Sequence, residues 1–516
     1  MQYHPTFHAR TNPDRPAVIM GGSGRTVTYR ELDEASNRAA QLFRSRGLKI
    51  GDTIAICLEN HPDFFSVAWG AQRAGLVYVA VSSRLTAPEI AYIAKDSGAK
   101  LLIGSAYLAP VLDEVAALDP NLPQLRFGGE GDLGAEAAFA AMPATPIADE
   151  RAGCDMLYSS GTTGKPKGVR VPLPEEPEIG APNSLLALAS QAFGIGPDAV
   201  YLSPAPLYHA APLRWSMTVH RLGGTVVVME KFDPEKALEL IQTLRVTDSQ
   251  WVPTHFVRML KLPEDIRVRY DVSSLKNAIH AAAPCPVPVK KAMIEWWGPV
   301  LREYYAGTEG NGFTFISSEE WLQRPGSVGR ALLGTIRVCD ENGDEVTRGT
   351  EGQVFFEGGS AFSYHNDPDK TRESTNKHGW TSLGDVGIQD EEGYLFLTDR
   401  KSFMIISGGV NIYPQEIENL LVHHPKVADA AVIGAPDPDM GERVIAVVQP
   451  ANMADAGPDL AAELTEWLAP QLSRVKMPRT IDFREELPRE PTGKLFKRLL
   501  RDEYRAAAEA AKSTAA

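Results

Sequence analysis

Apolar positions in the first part of the chain recur with two alternating periods. Arg25-Thr26-Val27-Thr28-Tyr29 is strand-like and leads into a helix, with Leu32, Ala35, Ala39 and Phe43 three or four residues apart on one face. Gly51-Asp52 then turns into the apolar run Thr53 to Leu58, a helical stretch covers Phe64 to Ala74, and Val77 to Val81 is strand again. A helix over Glu89 to Ser97 precedes the strand Lys100 to Ile103, and the alternation returns at Thr225 to Val228 and Ala237 to Leu244. Strands alternating with helices predict parallel β-structure with helical crossovers. On this periodicity the first ~400 residues form one large α/β assembly.

After Asp385 the pattern changes. A β-rich stretch with Gly, Asp and Glu turns ends at Gly393 to Lys401. A compact unit follows, with a helix over Pro414 to Val422, strands over Val427 to Ile433 and Val444 to Val448, and a helix over Leu460 to Leu468. A strand near Ile481, a Pro-Thr-Gly-Lys turn and a last helix complete it. About 110 residues is an ordinary size for one domain. The expected fold class is α/β: a large N-terminal α/β domain with β-sheets and packed helices, and a small mobile C-terminal α+β domain. The alanine-rich tail from Ala506 is expected to fray.

Composition narrows the classes of function. The 516 residues exceed one ordinary domain, and 43% hydrophobic against 23% charged residues describes a folded globular protein. Lysine and arginine number 52 against 66 acidic residues, so 52 − 66 = −14, which argues against non-specific nucleic-acid binding. Cys57, Cys154, Cys285 and Cys339 are scattered without a CxxC pair, as expected of buried thiols in a reducing cytoplasm. The N-terminus lacks a basic region followed by an apolar run, and no apolar stretch has the length of a membrane span. A cytoplasmic protein is the expectation.

The densest chemistry lies in Tyr158-Ser159-Ser160-Gly161-Thr162-Thr163-Gly164-Lys165-Pro166-Lys167-Gly168, where three glycines, four serine and threonine hydroxyls and two lysines share eleven residues. Glycine lets backbone approach a ligand closely, successive N–H groups make an anion-binding concavity, and the lysines add positive charge. A phosphate-holding loop is the reading. The Walker A spacing does not fit: only two residues separate Gly161 from Gly164, and Pro166 follows Lys165. The following Val169-Arg170-Val171 is strand-like, so the loop joins two strands.

This stretch resembles the phosphate loop of the adenylate-forming superfamily, which includes acyl-CoA synthetases, adenylation domains and luciferases. Five further stretches resemble that family's motifs, in its order, up to Lys494. The resemblance implies ATP contacts from Ser159, Ser160, Gly161, Thr162, Thr163, Gly164, Lys165 and Lys167. In Pro206-Leu207-Tyr208-His209 it places His209 beside the acyl carboxylate, although a histidine taken alone is more often structural. Tyr304-Tyr305-Ala306-Gly307-Thr308-Glu309 resembles the family's Tyr-Gly-x-Thr-Glu, with Ala306 where glycine is usual. It implies adenine stacking on Tyr305, Thr308 on the phosphates and Glu309 on Mg²⁺, which prefers carboxylate and phosphate oxygens. Ala282, in Ala281-Ala282-Ala283-Pro284, matches the small-residue wall beside adenine. Asp385 matches the aspartate that accepts both ribose hydroxyls, and Arg400 the arginine on ribose and phosphate. Ser402 stands at the hinge, where Asp or Lys is usual, and Gly408 and Gly409 match the loop that lines the CoA tunnel. Lys494, in Pro491-Thr492-Gly493-Lys494, matches the catalytic lysine.

The expected domains are therefore 1–399 for ATP and acid binding, 400–403 as hinge, and 404–516 as the mobile C-terminal domain. The implied reaction uses ATP, Mg²⁺ and CoA: a carboxylate attacks the α-phosphate, pyrophosphate leaves, and the acyl group passes to the CoA thiol. Catalysis rests on positive potential around the phosphates from the loop, Mg²⁺ and Lys494. Candidates for the acyl pocket are His209, Trp215, Trp251, Phe256, His280, Gly312 and Phe313, mostly apolar and aromatic, which suits a fatty, aryl or polycyclic acid. The leading expectation is an AMP-forming acid–CoA ligase for an apolar carboxylic acid. The alternative is an enzyme that loads a carrier protein or stops at the adenylate. The expected partners are the small-molecule acid, ATP and CoA, with no nucleic acid and no membrane span; a homodimer stays open.

Overall fold

The computed structural model describes residues 2–159, 166–400, 403–407, 410–437, 440–489 and 495–515. The chain forms two compact units. The first comprises Met1–Ala281, Met293–Asn311 and Ser360–Glu373, and the second Ala282–Ala292, Gly312–Gly359 and Ser374–Ala516.

The first unit carries the alternating α/β pattern. In one sheet the strands Thr53–Ile56, Val77–Ala80, Ala99–Ser105 and Gln124–Phe127 pair in parallel. Thr53–Ile56 and Val77–Ala80 are buried along their whole length, which is why they read as unbroken apolar runs. A second sheet runs in the order Thr26–Thr28, Pro16–Met20, Thr225–Val228, Val200–Ser203, Asp248–Trp251, Asn277–His280, Leu301–Glu303. All its pairings are parallel except that of the first two strands. The helix Tyr29–Ser45 starts at a capping box: the Glu31 N–H donates to Thr28 Oγ1 (3.2 Å), and the Thr28 N–H to Glu31 Oε2 (2.7 Å). It lies so close to the helix Phe64–Arg73 that a Cβ on Gly70 would sit 2.4 Å from the Ala39 Cβ, so only glycine fits there.

His4 and His220 are fully buried in this unit, both against Trp69. Trp69 Nε1–H donates to His220 Nδ1 (3.3 Å), leaving Nε2–H to donate to the Ala17 carbonyl (3.1 Å), an arrangement for a neutral ring. Burial pushes His220 down to about 3, and burial, with Arg73 and Arg221 adding to it, holds His4 well below its usual value. A histidine whose pKa falls on folding stays neutral where the unfolded chain takes up a proton. Its contribution is therefore complete above pH 6.5 and is lost as the pH drops below it. Each is expected to cost about 1 kcal/mol of stability between pH 6.5 and 5.5. Denaturant midpoints should fall over that interval; equal midpoints at the two pH values would contradict this.

Between Phe313 and Arg400 the second unit is antiparallel, where the sequence pattern predicts continued α/β structure as far as Asp385. Its strands run in the order Thr335–Cys339, Glu351–Glu357, Asp385–Gln389, Leu395–Arg400, Ser327–Leu333, Phe313–Ser317, each pair antiparallel. The strand Thr335–Cys339 is followed by a tight loop in which Asp340 Oδ1 accepts the N–H groups of Asn342 and Asp344, each at 2.9 Å.

The remainder of this unit has a sheet and core of its own. Val427–Asp437 and Gly441–Pro450 form a long antiparallel pair, extended by Ile405–Ser407 with Val410–Ile412 on one side and joined in parallel by Thr480–Phe483. One face buries Val432 and Val448 under Ile417 and Leu421 of the helix Pro414–Val422, and Leu464 and Leu468 of the helix Pro458–Leu468. The other buries Ile433, Ile445 and Val447 with Leu487 and Leu500. The fold is α/β with a large N-terminal part and a small α+β C-terminal part, as the pattern predicts. Among the described residues, no helix is long and apolar enough to cross a membrane.

Candidate active site

The glycine-rich stretch joins two strands, as its sequence predicts. Leu157–Ser159 and Lys167–Arg170 pair antiparallel, with Ser159 opposite Lys167. Ser160, Gly161, Thr162, Thr163, Gly164 and Lys165, and the side chain of Ser159, lie outside the described residues. Several bonds fasten the two strands from one side. Tyr158 Oη–H donates to Asp96 Oδ2 (2.6 Å), and the His365 N–H to the Gly168 carbonyl (2.7 Å). The short strand Ser363–Tyr364 pairs antiparallel with Lys167–Arg170. Lys167 Nζ reaches Asp367 Oδ2 at 2.6 Å, and its ammonium holds that carboxyl below its usual pKa.

Thr308 and Glu309 are held from two directions. Arg214, on the helix Ala210–Leu222, donates through Nη1 to the Thr308 carbonyl (2.9 Å) and through Nε and Nη2 to Asp155 Oδ2 (3.0 and 2.7 Å). The Glu309 carboxylate is buried, and Oε1 accepts a hydrogen bond from Tyr364 Oη–H at 2.8 Å. Tyr305 is half-buried, whereas its neighbour Tyr304 is buried and accepts from Gln250 Nε2 (2.9 Å) and Trp215 Nε1 (3.2 Å). No group of three or more His, Cys, Asp or Glu side chains suited to a metal occurs among the described residues. One carboxylate supplemented by phosphate oxygens and water is nevertheless a donor set that Mg²⁺ accepts, so Glu309 fits that ion.

Neither Arg214 nor Tyr364 was singled out from the sequence. Arg214 left a trace, a charge set among the buried Leu213, Trp215, Ser216 and Met217 of one helix. Tyr364 left none, because its partner is 55 residues away.

The aromatic candidates fall into two groups in the first unit. Trp251 ends the strand Asp248–Trp251, Phe256 lies on the helix Pro253–Leu260, and His280 ends Asn277–His280. Their rings meet at 6.1 Å (Trp251–Phe256) and 5.4 Å (Phe256–His280), all three are buried, and His280 Nε2 lies 3.6 Å from Glu303 Oε2. Trp215 belongs to a separate cluster with Phe193 (5.0 Å) and Tyr304 (5.8 Å). His209 caps the start of Ala210–Leu222 with its ring 4.5 Å from that of Tyr208. Burial pushes its imidazole down to about 3, so it is neutral near pH 7, and its Nε2 has no hydrogen-bond partner among the described residues.

The other candidates belong to the second unit. Ala282 has φ +76°, a left-handed conformation that costs a non-glycine residue about 1–2 kcal/mol. Gly312 has a packing reason to be glycine, since a Cβ there would lie 2.1 Å from the Phe356 ring. Phe313 is buried at the start of Phe313–Ser317. Asp385 is buried at the start of Asp385–Gln389, and its backbone partner across the ladder is Arg400, so two candidates 15 positions apart in sequence become neighbours. Ser402, Gly408, Gly409 and Lys494 lie outside the described residues. Ser407 and Val410, on either side of the glycine pair, are opposite each other in an antiparallel ladder.

The chain matches the family model for the AMP-binding enzyme over residues 6–364 and that for the AMP-binding enzyme C-terminal domain over 416–494. It is 33% identical to the long-chain-fatty-acid–CoA ligase FadD13 of Mycobacterium tuberculosis, covering 96% of this chain and 97% of that protein. It is equally 33% identical to the fatty acid–[acyl-carrier-protein] ligase ScoC of Streptomyces coeruleorubidus, covering 97% and 95%. The ATP-bound crystal structure of MatB from Rhodopseudomonas palustris superposes with a TM-score of 0.81 at 29% identity, covering 97% of this chain and 99% of that one. Two domain models matched in order, and relatives spanned almost end to end, leave one assignment: the chain belongs to the AMP-binding enzyme family and is an ATP-dependent acid–thiol ligase of the adenylate-forming superfamily.

Proposed function

We propose that the chain activates an apolar carboxylic acid with ATP and passes the acyl group to coenzyme A. The observation that carries this reading is the aromatic set Trp251, Phe256 and His280, with Trp215 in its own aromatic cluster. Side chains of this kind suit an aryl or aliphatic acid and offer no cation for a second carboxylate. The likeness to FadD13, named for long-chain fatty acids and CoA, supports it.

In the first step the acid's carboxylate attacks the α-phosphorus of ATP, and pyrophosphate leaves with the P–O bonding pair. His209, neutral because it is buried, meets the carboxylate as a hydrogen-bond donor and not as a cation. Tyr305 and Ala282 flank the adenine, Asp385 and Arg400 hold the ribose, and Thr308, Lys167 and the 159–165 stretch hold the phosphates. Glu309 would hold Mg²⁺, which would supply positive charge at the phosphates. Lys494 adds an ammonium aimed at the charge that develops in the transition state. In the second step the CoA thiolate attacks the acyl carbon, the thioester C–S bond forms, and AMP leaves with its oxygen. Residues 404–516 move about the 400–403 hinge between the steps, which withdraws Lys494 and brings Gly408 and Gly409 against the pantetheine arm.

The likeness to ScoC favours one second reading, transfer to a carrier protein in place of CoA. Pyrophosphate release measured across fatty, aryl and polycyclic acids, α-amino acids and dicarboxylates tests the acid class, and the apolar acids are expected to lead. A preference for an amino acid would overturn the acid assignment. With the best acid, CoA-dependent AMP release is expected; release that depends on a carrier protein and ignores CoA would replace the first reading by the second.

A further inference from the structure

After Gly359 the chain re-enters the first unit for only fourteen residues, Ser360–Glu373, and then leaves it again. The excursion brings in the strand Ser363–Tyr364 and the helix Pro368–Glu373. The strand pairs with Lys167–Arg170, Asp367 takes the Lys167 ammonium, and Tyr364 Oη–H reaches Glu309 Oε1. Tyr364 therefore lies, by backbone, against the strand that leaves the glycine-rich stretch and, by side chain, against the carboxylate proposed to meet the metal.

We infer that Tyr364 is a positioning residue for the metal site, whose phenol fixes the Glu309 carboxylate in the orientation that receives the divalent cation. The inference rests on the reading of Glu309 as the metal's protein ligand. Glu309 is buried, and a buried carboxylate needs hydrogen bonds to remain charged. A phenol supplies one without neutralising the charge, as an ammonium or guanidinium would, and the anion keeps its attraction for a cation. Its hydrogen bond to Oε1 favours one torsion of the carboxylate plane. The phenol is itself anchored: the Tyr364 N–H donates to Thr371 Oγ1 (2.9 Å), whose hydroxyl donates to the Asp367 carbonyl (3.0 Å), and its ring meets Phe362 edge-on at 5.6 Å. Residues that orient a metal ligand in this manner typically change metal affinity by about 10- to 100-fold when removed.

The test uses Mn²⁺ as the probe, titrated by water-proton relaxation against the full-length protein with ATP and no acid, so that no turnover is required. Tyr364→Phe removes only the hydroxyl and is expected to weaken Mn²⁺ binding by about 10- to 100-fold. Glu309→Gln should weaken Mn²⁺ binding by more than Tyr364→Phe does, the ATP phosphates keeping part of the ion. Thr371→Val loosens the segment that carries Tyr364 but keeps the phenol, and should weaken Mn²⁺ binding by less than Tyr364→Phe does. If Glu309→Gln binds Mn²⁺ as the unaltered protein does, the reading of Glu309 as the ligand fails. If Glu309→Gln weakens binding and Tyr364→Phe does not, the positioning role of Tyr364 is overturned. Equal weakening by Thr371→Val and Tyr364→Phe overturns it too, since segment packing would then explain both.

Discussion

Lys494→Ala is expected to slow adenylation by about 100- to 1,000-fold, the cost of removing a group aimed at transition-state charge. The same variant should form thioester from supplied acyl adenylate at close to the normal rate, because on the proposed reading Lys494 has withdrawn by then. Folding should be unaffected, since the chain on either side is anchored by other residues. Before Lys494, Arg489 makes a two-pronged pair with Asp429. After it, Lys497 is buried against Glu418 at 2.8 Å, and the same Glu418 oxygen accepts the Val432 N–H (2.6 Å). Pyrophosphate release and thioester formation measured separately, with a melting temperature for each protein, check this. Equal loss in both steps at an unchanged melting temperature would remove Lys494 from the proposed role.

Arg214→Met is expected to act on both folding and chemistry. Asp155 loses the guanidinium that neutralises it, and the loss should be about 2 kcal/mol, low for such a pair because part of the arginine side chain still meets water. The Thr308 carbonyl loses its donor, so the Thr308–Glu309 segment can shift. A displacement of about 1 Å in such a segment costs on the order of 100-fold in rate. The double variant Arg214→Met with Asp155→Leu separates the two effects by removing the stranded carboxylate. It should regain most of the melting temperature and little of the adenylation rate. If it regains both, Arg214 serves the fold alone.

The parts of this molecule legible from its sequence are those whose causes lie close together along the chain. The spacing of Gly161, Gly164 and Pro166 ruled out a Walker loop, and the paired strands on either side of them agree. The 3.6-residue period predicts a helix carrying Leu32 to Phe43, seen as Tyr29–Ser45 although Tyr29 reads as strand, and one at Pro414–Val422. The antiparallel strands from Phe313 onward pair with partners far along the chain, as Ser327–Leu333 does with Leu395–Arg400, so their sheet leaves no local pattern. The apolar run predicts a strand only to Ile433, whereas the strand continues to Asp437. In the structure Pro436 continues the ladder opposite Glu442, which it can do because the strand ends the main order of its sheet and that side needs no N–H. The support of Glu309 by Tyr364 and of Thr308 by Arg214 spans 55 and 94 residues, beyond any local pattern.

Trp251, Phe256 and His280 also bear on how such an enzyme could change its diet over evolutionary time. On the proposed assignment these residues choose the acid, yet they are also fully packed interior of the first unit. Cutting a buried Phe or Trp to alanine costs about 3–5 kcal/mol, against a total stability for typical domains of about 5–15 kcal/mol. A lineage drifting toward bulkier acids cannot simply hollow out these positions one at a time. It must move through near-isosteric exchanges, or first accumulate stabilising changes elsewhere, so taste and foldedness evolve as linked traits in this scaffold.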